Sequence, residues 1–400
     1  MSDAKKSDTS FLVQGSILAI ASIISRIVGL VYRIPLTAII GKTGNDYYGT
    51  AYEIYNIILI ISSYSIPLAV SKLVAARMAR GEVRNSVKVL KGSLLFAFVS
   101  GGSAMLIVYF CADFLTGPIL QTPLSAIALR VLAPVLMIVA IVGVFRGFFQ
   151  GLHTMLPSAV SQILEQLMNA VVSIVAAYML FSYGAKVGAV LGDSKDYAAA
   201  YGAAGGTLGT AIGALVSLCF VLFIYFAYSK RLKRKIARDH NPNQESYREI
   251  TWILLMTIIP VLLSTTIYNI SSIIDQIIFK HIVVIQGYSA QTIHNWWGVY
   301  TGQFKVLINV PISIASAIAA SSVPSLTKAF ANQDRRLVKR QIHSATRFIM
   351  MIAFPCTVGL IVLAGPINML LFGDSDPTSA RIMILGGISV LFYSLSTLTN

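Results

Sequence analysis

The chain has 400 residues, 56% of them hydrophobic and 12% charged, and a formal net charge of +15. A mean hydropathy of +0.74 and apolar runs along its whole length exclude a soluble globular protein and define an integral membrane protein. Alternating segments of about 10 residues, the mark of a membrane β-barrel, are absent, so the spans are helical.

Windows of about 20 residues predict ten spans, at 11–40, 47–76, 92–112, 124–146, 158–182, 200–229, 250–279, 293–325, 346–371 and 382–400. The opening "MSDAKKSDTS" followed by "FLVQGSILAIASIIS" has the outline of a signal peptide. The apolar run continues through Arg26 without a small-residue cleavage site, so it reads as an uncleaved first helix.

That first span carries Arg26 and Arg33. A charge at mid-bilayer depth costs at least about 2.5–3.5 kcal/mol, which demands a reason. Arg26 lies about 15 residues into its helix, roughly 22 Å at 1.5 Å per residue, too deep for easy snorkelling. Seven residues apart, the two arginines share nearly one helix face and can contact one anionic group. Arg33, and Arg130 in the fourth span, lie nearer the outer surface, where snorkelling competes with a cavity role. Lys305, about 12 residues into the eighth span, is again deep.

Three acids fall within spans: Glu53 in the second, Glu165 in the fifth and Asp275 in the seventh. Each either pairs structurally with a cation, Arg26 or Lys305 for Asp275, or binds a coupling Na⁺ or proton. Glu165 lies near the cytoplasmic end, which favours structural pairing. Pro35, Pro67, Pro260 and Pro311 interrupt helical runs, and such breaks are candidate hinges as well as common features of static bundles.

Of the 31 Lys and Arg, 22 fall on alternate loops, at the N-terminus, 72–91, Arg146, 230–248 and 328–347. Lys42, Lys186, Lys195, Lys280 and Arg381 lie on the opposite side. The positive-inside rule then places the N-terminus and the basic loops in the cytoplasm. The basicity is topological, and nucleic acid is not an expected partner.

The chain repeats at an interval of about 250 residues. "ASIISRI" from Ala21 corresponds to "SSIIDQI" from Ser271, "YYGTAY" from Tyr47 to "WWGVYT" from Trp296, and "FLTGPIL" from Phe114 to "VLAGPIN" from Val362. Each half begins on the same side, so the repeats have parallel topology about an axis along the membrane normal, with a cavity between them. The expected fold is an all-α polytopic membrane protein of two parallel-topology six-helix bundles around a central cavity. Residues 1–230 form the first lobe, 231–248 a basic cytoplasmic linker, and 249–400 the first four helices of the second. By the repeat, at least two more helices are expected to follow.

Other chemistry finds little support. Cys111, Cys219 and Cys356 fall inside spans and offer no metal spacing. His153, His240, His281, His294 and His343 are scattered, and no metal site, hydrolase elbow or nucleotide-binding loop is present. The "GAAGGTLGTAIGA" run from Gly202 suits close helix packing. The chain is therefore not expected to be an enzyme or to carry a cofactor, and membrane potential or an ion gradient would drive it.

At "RGFFQGLHTMLPSAVSQILEQ", "SRIVGLVYRIPL" and "IPLAVSKLVAARMARGE" the sequence resembles the multidrug/oligosaccharidyl-lipid/polysaccharide exporter superfamily. The resemblance covers the whole chain and points to the branch of stage V sporulation protein B, polysaccharide exporters and MurJ-type lipid II flippases. It implies two alternating-access lobes in a bacterial plasma membrane. The implied cargo is an undecaprenyl-diphosphate-linked saccharide, lipid II or another envelope polysaccharide precursor, moved from the inner to the outer leaflet. Ser25, Arg26 and Arg33 match the family's first-helix pattern, with Ile34 where an aspartate would stand. The second helix carries Glu53 rather than the arginine typical of MurJ-type proteins, and Lys305 sits on the eighth. Arg26, Arg33, Lys305 and Arg130 are the expected headgroup-binding cations. A cation-coupled multidrug antiporter of the same superfamily and a non-transporting scaffold for sporulation or envelope assembly are the alternatives.

Overall fold

The computed structural model describes residues 17–18, 20–239, 245–331 and 333–399, and every regular element among them is helical. α1 (Ile20–Val31) passes through a turn at Tyr32 into α2 (Arg33–Leu59). Pro35 has no N–H to offer the carbonyl of Val31, and the helical ladder breaks there. At Gly41 the backbone adopts φ 69 and ψ −175, a region essentially closed to residues with a Cβ. The chain reverses there, so α2 is two helical arms belonging to two successive passages.

The second arm continues through a π-turn (Ile60–Tyr64) into α3 (Ile66–Ala79). Pro67 occupies the first turn of α3, where its missing N–H costs least. Then follow α4 (Val83–Phe114), a π-turn (Leu115–Ile119), α5 (Ser125–Gly151), α6 (Leu156–Leu191) and α7 (Ser194–Ala237). The second half comprises α8 (Tyr247–Ile285), α9 (Ala290–Val299), a π-turn (Tyr300–Phe304) and α10 (Lys305–Ala331). It ends with α11 (Arg335–Val362), α12 (Ala364–Phe372), α13 (Pro377–Gly387) and α14 (Ser389–Thr399).

Among the described residues, each of the ten predicted spans overlaps helix in this order. Among the described residues, seven helical stretches are long and apolar enough to cross a membrane, or eight if α13 and α14, bent by 43°, make one span. Pro260 and Pro311 do not interrupt their helices, contrary to expectation: α8 and α10 run through them unbroken. Each proline removes only one bond of its helical ladder, and the helix on either side is kept. The discontinuity in the eighth passage lies instead at Tyr300–Phe304, ahead of Lys305.

Small residues set the helix spacing. On α7, the Gly205, Gly209 and Gly213 of the glycine-rich run press on the α6 backbone, and a Cβ on Gly209 would meet Ser173 Oγ at 2.0 Å. The first bundle buries one core around Leu36, Tyr48, Leu129, Leu136 and Ala203 and another around Val70, Leu90, Phe145 and Phe148. The second bundle buries Phe304, Ile308, Met383 and Val390.

α8 behaves differently from its sequence assignment to the second lobe. Its Ile250, Leu254 and Ile258 are buried in the core of the first bundle, and Ile273 and Ile277 also pack on that bundle. Among the described residues of the segment read as a linker, 231–237 belong to α7 and 247–248 to α8. Arg77 Nε donates to Glu245 at 2.8 Å and the Arg84 backbone N–H to Asp239 at 2.8 Å, tying both flanks to the first bundle. His240 lies outside the described residues.

The repeated Tyr-Tyr-Gly and Trp-Trp-Gly motifs meet face to face. Gly298 of α9 lies so close to α2 that a Cβ would stand 1.9 Å from the Lys42 carbonyl oxygen, and one on Gly49 would be 2.8 Å from Thr301. The two halves thus cross in backbone contact at the end of the molecule away from the basic loops, called here the far end. Thr37 donates to the Gly302 carbonyl at 3.2 Å and Thr301 to that of Asn45 at 3.1 Å, completing the seam.

Candidate functional site

A cavity of about 630 Å³ lies between the two bundles. One wall is Ser25, Arg26, Gly29 and Arg33 from α1 and α2, with Tyr48, Tyr52, Glu53 and Asn56 from the second arm of α2. Asn169 of α6 and Ser272 of α8 add polar groups, while Tyr300, Lys305, Asn309 and Ser313 form the opposite wall. The floor of the cavity is the Gly49 and Thr301 crossing.

Four of the expected residues therefore meet in one place. Arg26 projects into the cavity with no carboxylate partner among the described residues. Arg33, for which snorkelling to the surface was an alternative, turns inward, its guanidinium 4.3 Å from the ring centroid of Tyr48. A cation over a tyrosine face keeps its charge without neutralisation by an acid. Lys305 forms a salt bridge with Glu53 across the two bundles, with side chains 26% and 17% exposed, and its ammonium lies 5.2 Å from the Tyr300 ring centroid.

The other candidates lie elsewhere. Arg130 pairs with Asp113 at 2.5 Å, the two side chains 38% and 71% exposed, and neither lines the cavity. A lipid-facing side chain near a helix end reaches its partner outward, which is why depth alone did not separate it from Arg33. Glu165 receives a hydrogen bond from Arg146 at 2.7 Å, and Arg146 also donates to Ser161 and Ser217. Arg146 is thus an internal tie among α5, α6 and α7 rather than a loop charge. Asp275 is exposed, one turn beyond Ser272, and forms no salt bridge among the described residues; Lys305, its alternative partner, is taken by Glu53.

A further group escaped the sequence reading. Lys280 and Asp46 are both 0% exposed and form a salt bridge at 2.6 Å. Lys280 also donates to Thr122 at 2.7 Å, Gln276 to Thr50 at 2.6 Å, and His294 Nδ1 stands 2.5 Å from the other Asp46 oxygen. This cluster joins α2 to α8 and α9. Lys280, counted above as an outer-side charge, is sequestered because its apolar stem follows α8 inward to the only carboxylate buried at that level among the described residues.

At the rim of the far end, Lys42 bridges Asp374 at 3.0 Å and Asp376 at 2.9 Å. Burial alone pushes the Asp374 carboxyl up, but hydrogen bonds from Ser379, Gln303, the Asp376 backbone and Lys42 outweigh it and hold it at about 2. The contact with Lys42 holds Asp376 below the ordinary range as well. The sequence signal for this far-end lock was weak: single polar residues bordering apolar runs.

Two helical bundles around a charged central cavity, built from many apolar spans, define a multi-pass membrane protein. The fold matches an inward-facing multidrug resistance MATE family transporter with a TM-score of 0.68 at 16% identity, over 94% of this chain and 82% of that one. An outward-facing transporter of the same family matches at 0.62 and 16%, over 98% and 80%. Residues 12–330 match the family described as "Polysaccharide biosynthesis protein", and the chain belongs to that family. It is 26% identical over 407 residues to the lipid II flippase MurJ of Bacillus subtilis (strain 168), covering 97% of this chain and 72% of that protein. Stage V sporulation protein B of the same organism is 26% identical over 388 residues, covering 96% and 71%.

Proposed function

We propose that the protein flips an undecaprenyl-diphosphate-linked saccharide, lipid II or another envelope polysaccharide precursor, from the inner to the outer leaflet of a bacterial plasma membrane by alternating access. The observation that carries this reading is the pair of arginines, Arg26 and Arg33, lining one cavity without carboxylate partners among the described residues. A lipid diphosphate bears about two negative charges that lose water on entering the membrane, and arginine offsets that loss by bidentate hydrogen bonds. Ser25, Asn169 and Asn309 line the same cavity and offer donors and acceptors of the kind a sugar needs.

In this reading the basic loops and the N-terminus face the cytoplasm, in line with the positive-inside rule. The headgroup enters between the bundles from that side, the far end parts, and the lipid tail stays in the bilayer. Membrane potential or a Na⁺ or proton gradient drives the cycle, and Asp275, beside the cavity and outside any salt bridge among the described residues, is the carboxylate proposed for the coupling ion. Arg130 is not part of the binding set.

A multidrug antiporter is the competing reading, drawn from the fold neighbours. It calls for cavity chemistry that favours cations, and two uncompensated arginines repel them. The test is rescue of cells depleted of their own lipid II flippase by the protein with and without Arg26→Ala, scoring lipid II at the outer surface and membrane abundance. Rescue that Arg26→Ala lowers at least about tenfold at equal abundance supports the reading. Rescue that survives the substitution removes the arginine from the mechanism, and no rescue by the abundant parent chain turns the search to other lipid-linked glycans.

A further inference from the structure

Lys305 faces the cavity but is already engaged by Glu53, and the two residues lie 252 positions apart on opposite bundles. Both are partly exposed to the cavity, so a ligand resting there reaches them. The two arginines of the same cavity have no such partner among the described residues. A cavity that needed three free cations would have no use for a carboxylate beside one of them.

We propose that Glu53 is an internal stand-in for the anion of the cargo: it occupies Lys305 while the cavity is empty and gives it up when a diphosphate enters. The inference rests on the anionic-cargo reading above and adds what the cargo does once bound. A diphosphate held by Arg26 and Arg33 attracts Lys305 and repels Glu53, so the cross-bundle pair is weakened from both sides. Its loss removes a tie between α2 and α10 at cavity depth, and the bundles are freed to move only when loaded.

The setting of Lys305 suits such a change. It is the first residue of α10, directly after the π-turn Tyr300–Phe304, and π-turns are places where a helix can shift register. The Tyr300 ring beside it offers the ammonium a surface on which to move without full loss of contact. Arg146 with Glu165, and Asp46 with Lys280, lack this freedom, being held by further hydrogen bonds within packed helices.

The test measures binding of undecaprenyl diphosphate, and of uncharged undecaprenol as reference, to the purified chain in nanodiscs. Glu53→Gln removes the competitor and is expected to tighten diphosphate binding about tenfold, leaving undecaprenol unchanged, while Lys305→Gln weakens diphosphate binding by a similar factor. Placed on Lys305→Gln, Glu53→Gln is expected to add nothing, because the cation it competes for is gone. The exchange Glu53→Lys with Lys305→Glu restores a cross-bundle pair and is expected to bind within about threefold of the parent.

Unchanged or weaker diphosphate binding by folded Glu53→Gln overturns the stand-in role while leaving the anionic cargo intact. Should Glu53→Gln fail to insert, loss of binding by a normally inserted exchange variant overturns it equally. A parent chain that binds no undecaprenyl diphosphate brings down both readings together.

Discussion

Among the described residues the two halves of the chain are joined by charge at three places, and two of these are built to opposite ends. At the far end, Asp46 and Lys280 are wholly buried and saturated by Thr50, Thr122 and His294. In the cavity, Lys305 and Glu53 are partly solvated and lean on a single aromatic neighbour. Burial decides what each can do. A sealed pair cannot be opened by a ligand because no ligand reaches it, and breaking it leaves a bare charge in a low dielectric. A wetted pair is weaker and is open to competition.

The largest effect is expected where the seal is broken on one side. Asp46→Ala strands the Lys280 ammonium and is expected to cost about 3–5 kcal/mol, seen as a large drop in thermal unfolding temperature in detergent. Replacing both together, Asp46→Asn with Lys280→Met, removes the charges as a pair and is expected to recover most of that loss. If the single and double variants are equally unstable, the pair is not what holds the far end. By contrast, Glu53→Gln is expected to change stability by no more than about 1 kcal/mol while altering ligand binding, the reverse of Asp46→Ala.

The same contrast explains what could be read from sequence. The spans, their order and the parallel repeat were legible because hydropathy and topology act over about 20 residues at a time. Arg26 and Lys305 stood out because depth inside an apolar run has no cheap explanation. Asp46, Lys280 and Lys42 did not, because each borders an apolar run and looks like an ordinary loop charge. Their roles come from the crossing at Gly298 and Gly49, a tertiary contact that brings together residues from 234 to 334 positions apart. The attachment of α8 to the first bundle was hidden for a related reason: an apolar helix packs on whichever neighbour is nearest, and sequence order assigned it to the second half.

Between the sealed pair and the cavity pair stands the rim contact of Lys42 with Asp374 and Asp376. Lys42→Ala removes a partly exposed bridge and is expected to cost about 0.5–1.5 kcal/mol, read as a severalfold rise in cross-linking or label accessibility at the far end. The pH dependence follows from the direction of the Asp374 shift. Its carboxyl is held at about 2, below the ordinary 3.8, so the stabilisation it gives is complete above about pH 4 and is lost as pH falls through about 2. Far-end closure measured between pH 5 and 8 is expected to be flat with respect to this group. A midpoint inside that range would assign closure to a different titration.

The smallest effect belongs to the cation that depth alone grouped with the cavity residues. Arg130 and Asp113 are both substantially exposed, and an exposed ion pair is worth about 0–1 kcal/mol because water and salt already screen it. Arg130→Gln is therefore expected to leave unfolding within about 0.5 kcal/mol of the parent and flippase rescue unchanged at equal abundance, where Arg26→Ala is expected to lower it at least about tenfold. The comparison is demanding because both substitutions remove one positive charge from an apolar span. If Arg130→Gln lowered rescue as far as Arg26→Ala, total intramembrane charge rather than the cavity's geometry would govern transport, and the division between cavity and surface cations would fall.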